Sequence, residues 1–275
     1  MRAMITALAV GHEGQCNLRN GNFSGNRKPK KTVEKHTIGS RKDHTTMSAQ
    51  NNKLRDQPAY GLAEAARYLK LPLATLRSWV VGRAYPLGEK VGTFQPLIKP
   101  AQKKPAILSF YNLVEAHVLR SFRTEHGVAI AELRKAIRYA ENALEIDRLL
   151  LSKDLRTHAG KMFLDKYGEL INLSASGQLA MRKLLEEHLK RVEWDQWQFP
   201  VRLYPYVSPD PTTEKAIVID PAIAFGRPVV SKAGISTNTI VSRIDAGERV
   251  KDVAQDYDLS VDEIENAVLY ERRAA

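Results

Sequence analysis

One cysteine, Cys16, is present in 275 residues. Its isolation excludes an internal disulfide and any cage of thiolate metal ligands, and it fits a reducing cytoplasm. No window approaches the ~20 consecutive apolar residues of a membrane span. After Arg2 a short apolar run extends from Ala3 to Val10. It sits at the short limit for a signal sequence, and no A-x-A cleavage pattern follows. The seven histidines are scattered, with no ligand or base partner at a motif spacing. Walker loops, dinucleotide glycine fingerprints and nucleophile elbows are missing. Asp262-Glu263 is a carboxylate pair on an expected solvent face. These absences argue against an enzyme and predict neither cofactor nor metal.

What the chain has is positive charge, unevenly spread. Its net charge is +11, with 43% hydrophobic and 27% charged residues. That balance fits a soluble globular protein with room for two domains, and it favours a polyanionic partner. Residues 1–46 carry a net +6, residues 47–107 a net +7, and residues 108–275 a net −2. Residues 1–46 lack a hydrophobic period and are expected to be a disordered extension or tag, with Met47 as the natural start. The rival reading is a basic arm that touches nucleic acid.

Two segments have a helix-turn-helix pattern, and their charges differ. In Tyr60 to Gly82, Leu62, Ala65, Ala66 and Leu69 recur at helical spacing. Leu71-Pro72 ends that helix. A second helix is predicted over 74–81, with Leu76 and Val80 inside and Gly82 as its cap. Thr75, Arg77 and Ser78 face outward, where such side chains bond phosphate or base edges. Lys70 and Arg83 extend the basic face. Strands at about 93–98 and 105–109 form an expected wing, with Lys103 and Lys104 at its tip.

In the second segment, residues 248–270 carry two basic and seven acidic side chains. Asp262, Glu263 and Glu265 on the would-be recognition helix repel phosphate. This module is therefore expected to bind protein rather than DNA.

Between the two, Ser109 is a plausible cap for a helix running to about Arg123. Ile130, Leu133, Ile137, Ala140 and Leu144 form a narrow apolar seam, as in helix pairs. Lys161 to Leu173 reads as a β-hairpin around Tyr167-Gly168, Gln178 to Val192 as a helix, and Phe199 to Tyr206 as a strand. Trp194, Trp197 and Phe199 suit either a ligand pocket or core packing.

The segment AEAARYLKLPLATLRSWVVG resembles the winged helix-turn-helix of the MerR group. Thr75, Leu76, Arg77 and Trp79 match its motif, and the likeness runs to about Leu144. The proline-flanked PAQKKP segment is longer than usual. The group's long dimerising coiled coil and metal-binding cysteines are absent. Residues 216–270 resemble the small trihelical domain of VapB-like antitoxins. The matching elements are I-D-P, G-R-P-V, Gly234-Ile235, A-G-E, A-x-D-Y and the final A-x-x-Y.

The expected fold class is mainly α with small β elements (α+β). A winged helix-turn-helix spans 54–145, a central hairpin-helix-strand region 146–207, a linker 208–215 and a trihelical domain 216–275. The resemblance implies an antitoxin that represses its own operon and neutralises a PIN-like ribonuclease toxin. Tyr270, Arg272 and Arg273 are the expected toxin contacts. A homodimer is expected, through Ile130, Leu133 and Ile137 or through Val253, Ile264 and Val268. The other reading is a free-standing MerR-type regulator with a ligand pocket between Leu144 and Tyr206.

Overall fold

The first described helical pair is built on a proline. In the computed structural model, α1 (Leu62–Leu69) buries Ala65, Ala66, Tyr68 and Leu69. It stops at Lys70, which is left-handed at φ 52°. Pro72 then opens α2 (Leu73–Val80), whose buried face is Leu76, Trp79 and Val80. Four α1 carbonyls lack helical donors at this end. The Leu71 amide reaches the Ala66 oxygen and the Lys70 amide the Arg67 oxygen. Arg120 donates to the Leu69 carbonyl, and the Tyr270 hydroxyl to the Tyr68 carbonyl. The C-terminal end of the chain thus completes the first helix.

The structure describes residues 53–87, 90–122, 130–152, 155, 158–171, 174–207 and 215–272. The expectations for residues 1–46, most of the linker, and Arg273 fall outside these. The described chain is mostly helical, with four small antiparallel two-stranded sheets. This agrees with the α+β expectation.

The β-hairpin after α2 pairs β2 (Arg83–Leu87) with β3 (Lys90–Phe94), Arg83 opposite Phe94. It lies earlier in the chain than the expected wing. The predicted strand at 105–109 is instead the short β4 (Ile107–Leu108), paired with β1 (Tyr60–Gly61). Lys103 and Lys104 occupy the exposed turn before β4 rather than a wing tip.

Ser109 caps α3 (Phe110–Ser121) in a reciprocal box with Asn112. Asn112 also donates to the Lys99 carbonyl and accepts from the Ala101 amide, pinning the preceding loop. This helix is buried along nearly its whole length. Against it pack α4 (Ile130–Leu144), α5 (His158–Leu170) and α6 (Ala175–Lys190).

The expected hairpin at 161–173 is wrong, because α5 is a helix. Phe163, Leu164 and Tyr167 are buried at helical spacing, and Phe122 meets Phe163 edge-on at 5.2 Å. Gly168 is a close-packing point, not a turn. A Cβ there would lie 2.8 Å from the Gln178 side chain on α6.

Strands β5 (Val192–Trp194) and β6 (Pro200–Leu203) form a hairpin, and Leu203 bridges to Ile219. The C-terminal module follows: β7 (Ile217–Val218), β8 (Val229–Val230), α7 (Thr237–Asp245), α8 (Val250–Asp256) and α9 (Val261–Arg272). Its own core is Ile217, Val230, Ile240, Val253, Ile264, Ala267 and Tyr270.

Candidate nucleic-acid interface

The solvent face of α2 displays Leu73, Ala74 and Arg77, with Thr75 and Ser78 partly exposed. No acidic residue occupies its first turn. The Ser78 hydroxyl donates to the Thr75 carbonyl at 2.7 Å, so its proton is used within the helix while its oxygen can still accept. Beyond Gly82, held at φ 86°, Arg83 is exposed at the base of the hairpin. The face stands on a fixed base. Trp79 is 1% exposed, and its carbonyl accepts from the Leu97 and Ile98 amides at 2.7 and 3.0 Å. The loop that returns from the hairpin is therefore pinned beneath α2.

Of the expected DNA contacts, Arg77 and Arg83 are exposed cations, and Lys103 and Lys104 are exposed on a separate turn. Lys70 is corrected. It is buried at 6% exposure, with its ammonium 4.2 Å above the Tyr270 ring. Its stem and charge cap the helix instead of facing phosphate. Arg67, a further cation on α1, lies half-exposed and pairs with Glu271 at 2.7 Å.

The expected toxin contacts fare differently. Tyr270 is wholly buried and is a core residue, because its ring fills the space under α1. Burial pushes its phenol pKa well up. Arg272 is exposed and pairs with Asp245 at 2.7 Å. Glu271 holds α9 in place, accepting from the Thr237 hydroxyl as well as from Arg67.

The expected dimer seams are also corrected. Leu133 and Ile137 are buried, and the seam of α4 is occupied by α5 of the same chain. The side chain of Ile130 lies outside the described residues. Val253 and Ile264 are fully buried in the C-terminal core, and Val268 is half-buried. The acidic face of α9 does reach solvent through Asp262 and Glu265.

A buried polar knot lies where α3, α6 and the segment after β6 meet. His117 Nε2 donates to the His188 carbonyl and His188 Nδ1 to the Leu184 carbonyl, both at 3.0 Å. The Tyr206 ring packs on both imidazoles and under the Arg120 and Arg191 guanidiniums. Burial, and then the neighbouring cations, push His188 down to about 4. His117 is held well below the usual histidine range, chiefly by burial and then by His188. The knot favours neutral imidazoles held by backbone carbonyls, so it reads as structural. Among the described residues no cluster of three or more His, Cys, Asp or Glu side chains could hold a metal. No described helix is long and apolar enough to cross a membrane.

Comparison with known proteins places these features. Residues 58–137 match the family described as "Putative DNA-binding HTH domain". Residues 217–270 match a family described only as a protein of unknown function, DUF433. The chain is similar to "Putative antitoxin VapB45" of Mycobacterium tuberculosis, with 28% identity over 78% of this chain and 93% of that protein. It is also similar to the uncharacterized protein Rv2308 of the same organism, with 26% identity over 79% of this chain and 92% of that one. The crystal structure of Rv2018 from Mycobacterium tuberculosis covers 77% of this chain and 97% of its own, with a TM-score of 0.56 and 25% identity. The chain thus carries a helix-turn-helix similar to DNA-binding domains and is distantly similar to an antitoxin.

Proposed function

We propose that this chain is a non-catalytic antitoxin-type regulator. It reads operator DNA through α2 and the β2–β3 hairpin, represses its own operon, and neutralises a toxin with a PIN-like ribonuclease fold. One observation carries the reading: Arg77 and, in part, Thr75 are presented to solvent on a helix whose opposite face is locked into the core, with Arg83 exposed just beyond it at the base of the hairpin. A short helix of this kind, entering the major groove, needs little more than a rigid base and outward Arg and Thr side chains. The local net charge of +7 over residues 47–107 supplies the phosphate attraction. The similarity to an antitoxin over most of both chains supports a toxin partner. One reader helix per copy implies a homodimer on two half-sites.

The test has two arms. Gel-shift titration with the DNA upstream of the gene should show binding that weakens steeply with salt. Co-expression with a neighbouring nuclease gene should give a stable complex that lacks ribonuclease activity. DNA binding with no nuclease complex would leave a transcription regulator.

That second reading has its own observation. A cavity of about 470 Å³ opens between α5, α6 and β5. Leu164, Leu185 and Trp194 line it, with three cations, Lys161, Arg182 and Lys190, against one carboxylate, Glu186. It lies in the region where a ligand-responsive regulator would hold an anionic, partly apolar effector. A shift in melting temperature on adding such an effector would favour this reading.

A further inference from the structure

Phe225 is 93% exposed, more than any other large hydrophobic side chain among the described residues. It is also held there. Ala224, Phe225 and Gly226 have φ values of 48°, 55° and 76° in succession. Two of these are non-glycine residues in the left-handed region, which side chains disfavour. The turn is fixed from below. The Asp220 carbonyl accepts from the Ile223 amide, and the Asp220 carboxylate accepts from the Ala222 amide and from Arg202. Gly226 sits so close to Tyr60 that a Cβ would lie 2.0 Å from the phenol oxygen. A chain that holds strain to keep an aromatic ring in water has built a knob. Arg227, also exposed, stands beside it.

The same chain carries a matching hole. A cavity of about 310 Å³ is lined by Tyr111, Leu151, Trp197, Phe199 and Pro200, with Asp147 and Arg148 also in its lining. Arg148 is already paired with Glu115 and Asp56, whereas Asp147 is exposed. A void of ~150 Å³ already takes a benzene ring. Its wall is equally fixed. The Asp195 carboxylate accepts from the Trp197 and Phe199 amides and from Arg55. Trp197 and Phe199 are nevertheless 48% and 41% exposed.

We propose that Phe225 docks in this cavity on a second copy of the chain, with Arg227 meeting Asp147 of that copy. Knob and hole lie on one chain, so a second copy supplies both. In the proposed two-fold pair the contact is made twice, whereas a head-to-tail contact would give larger open assemblies that sedimentation distinguishes. Aromatic and arginine anchors in preorganised pockets are what dominate protein interfaces. The inference rests on the DNA-binding reading only for the use of the dimer, two half-sites on an operator. It replaces the α4 seam, which α5 already covers.

The test uses the full chain without DNA. Sedimentation velocity should show a dimer at micromolar concentration. Phe225→Asp and Trp197→Ala should each raise its dissociation constant at least about 30-fold. Arg227→Asp should weaken it, and adding Asp147→Arg should restore it. All these positions are exposed, so each variant should keep the wild-type circular dichroism spectrum, and its melting midpoint should fall only by the mass-action contribution of the lost dimer. A monomeric wild type, an undiminished Phe225→Asp dimer, or a photo-crosslinker at position 225 that captures only a different protein would each overturn the proposal. Failure of the DNA reading shows separately, as dimers that bind no upstream DNA.

Discussion

The Tyr270 hydroxyl donates to the Tyr68 carbonyl at 2.9 Å, across 202 positions of sequence. Tyr68 needs this donor because the residue four places on is Pro72, which has no N–H. The module at the end of the chain is therefore bonded into the helix-turn-helix at its start. Tyr270→Phe should cost about 1–3 kcal/mol, since the buried carbonyl loses its partner. Tyr270→Ala should cost about 3–5 kcal/mol, because it also leaves a cavity under α1. Chemical denaturation measures both. If Tyr270→Phe were as stable as wild type, water would have to replace the hydroxyl.

Arg77 and Arg83 define the second expectation. Arg77→Ala should weaken operator binding by about 1–3 kcal/mol if it reads a base edge. Arg83→Ala should weaken binding to all sequences alike and reduce the salt slope by about one if it contacts phosphate. Both side chains are exposed, so melting temperature should not change. Unchanged affinity of a folded double variant would remove α2 as the reader.

Much of this surface was legible in the sequence, and the reasons for the failures are specific. The α1–α2 boundaries follow from Leu71-Pro72, and the exposure of Arg77 from helical spacing. Ser109 announced its cap by residue type and position. Residues 161–173 misled because Tyr167-Gly168 looks like a turn, whereas the glycine serves contact with Gln178. The wing was displaced because short strands in a proline-rich stretch have little period. Lys70 and Tyr270 were assigned to surfaces because each faces the other across a contact no local pattern encodes. The α4 seam was a true apolar stripe, but its partner lies in the same chain.

The histidine knot predicts an acid-sensitive fold. His188 has a folded-state pKa near 4, chiefly because of burial, against about 6.5 unfolded. Neutral His188 therefore contributes stability that is fully present above about pH 6.5 and is lost as pH falls toward 4. The full contribution is roughly 3 kcal/mol. His117 acts in the same direction. The urea midpoint should fall between about pH 7.5 and about pH 5, and His188→Gln should flatten that fall. A profile equally steep in the variant would place the acid sensitivity elsewhere.

Gly226 and Tyr60 form a coupled pair. Gly226→Ala puts a Cβ against the buried phenol at a φ of +76°. The backbone strain alone costs about 1–2 kcal/mol. Tyr60→Phe removes the atom that is struck first, so the double variant should recover part of the loss. A double-mutant cycle on denaturation midpoints measures this coupling. Strict additivity would mean that the turn shifts away from β1.

The last expectation separates holding the fold from holding a toxin. PIN-like nucleases bind metal through clustered carboxylates, so an inhibitor gains by presenting arginine to that site. Arg272 is exposed at the end of α9, and its pairing with Asp245 is a surface ion pair of small worth. Arg272 can therefore leave that partner at little cost. Glu271 cannot, because it binds both Arg67 and Thr237. Removing residues 271–275 would confound the two roles. Arg272→Ala combined with removal of residues 273–275 should relieve nuclease inhibition while leaving melting temperature and operator affinity unchanged. Glu271→Ala should lower the melting temperature and leave the arginine side chain intact. If the shortened Arg272→Ala chain still neutralises an equimolar nuclease, the inhibitory element lies elsewhere, and the exposed surface of residues 161–206 becomes the place to scan.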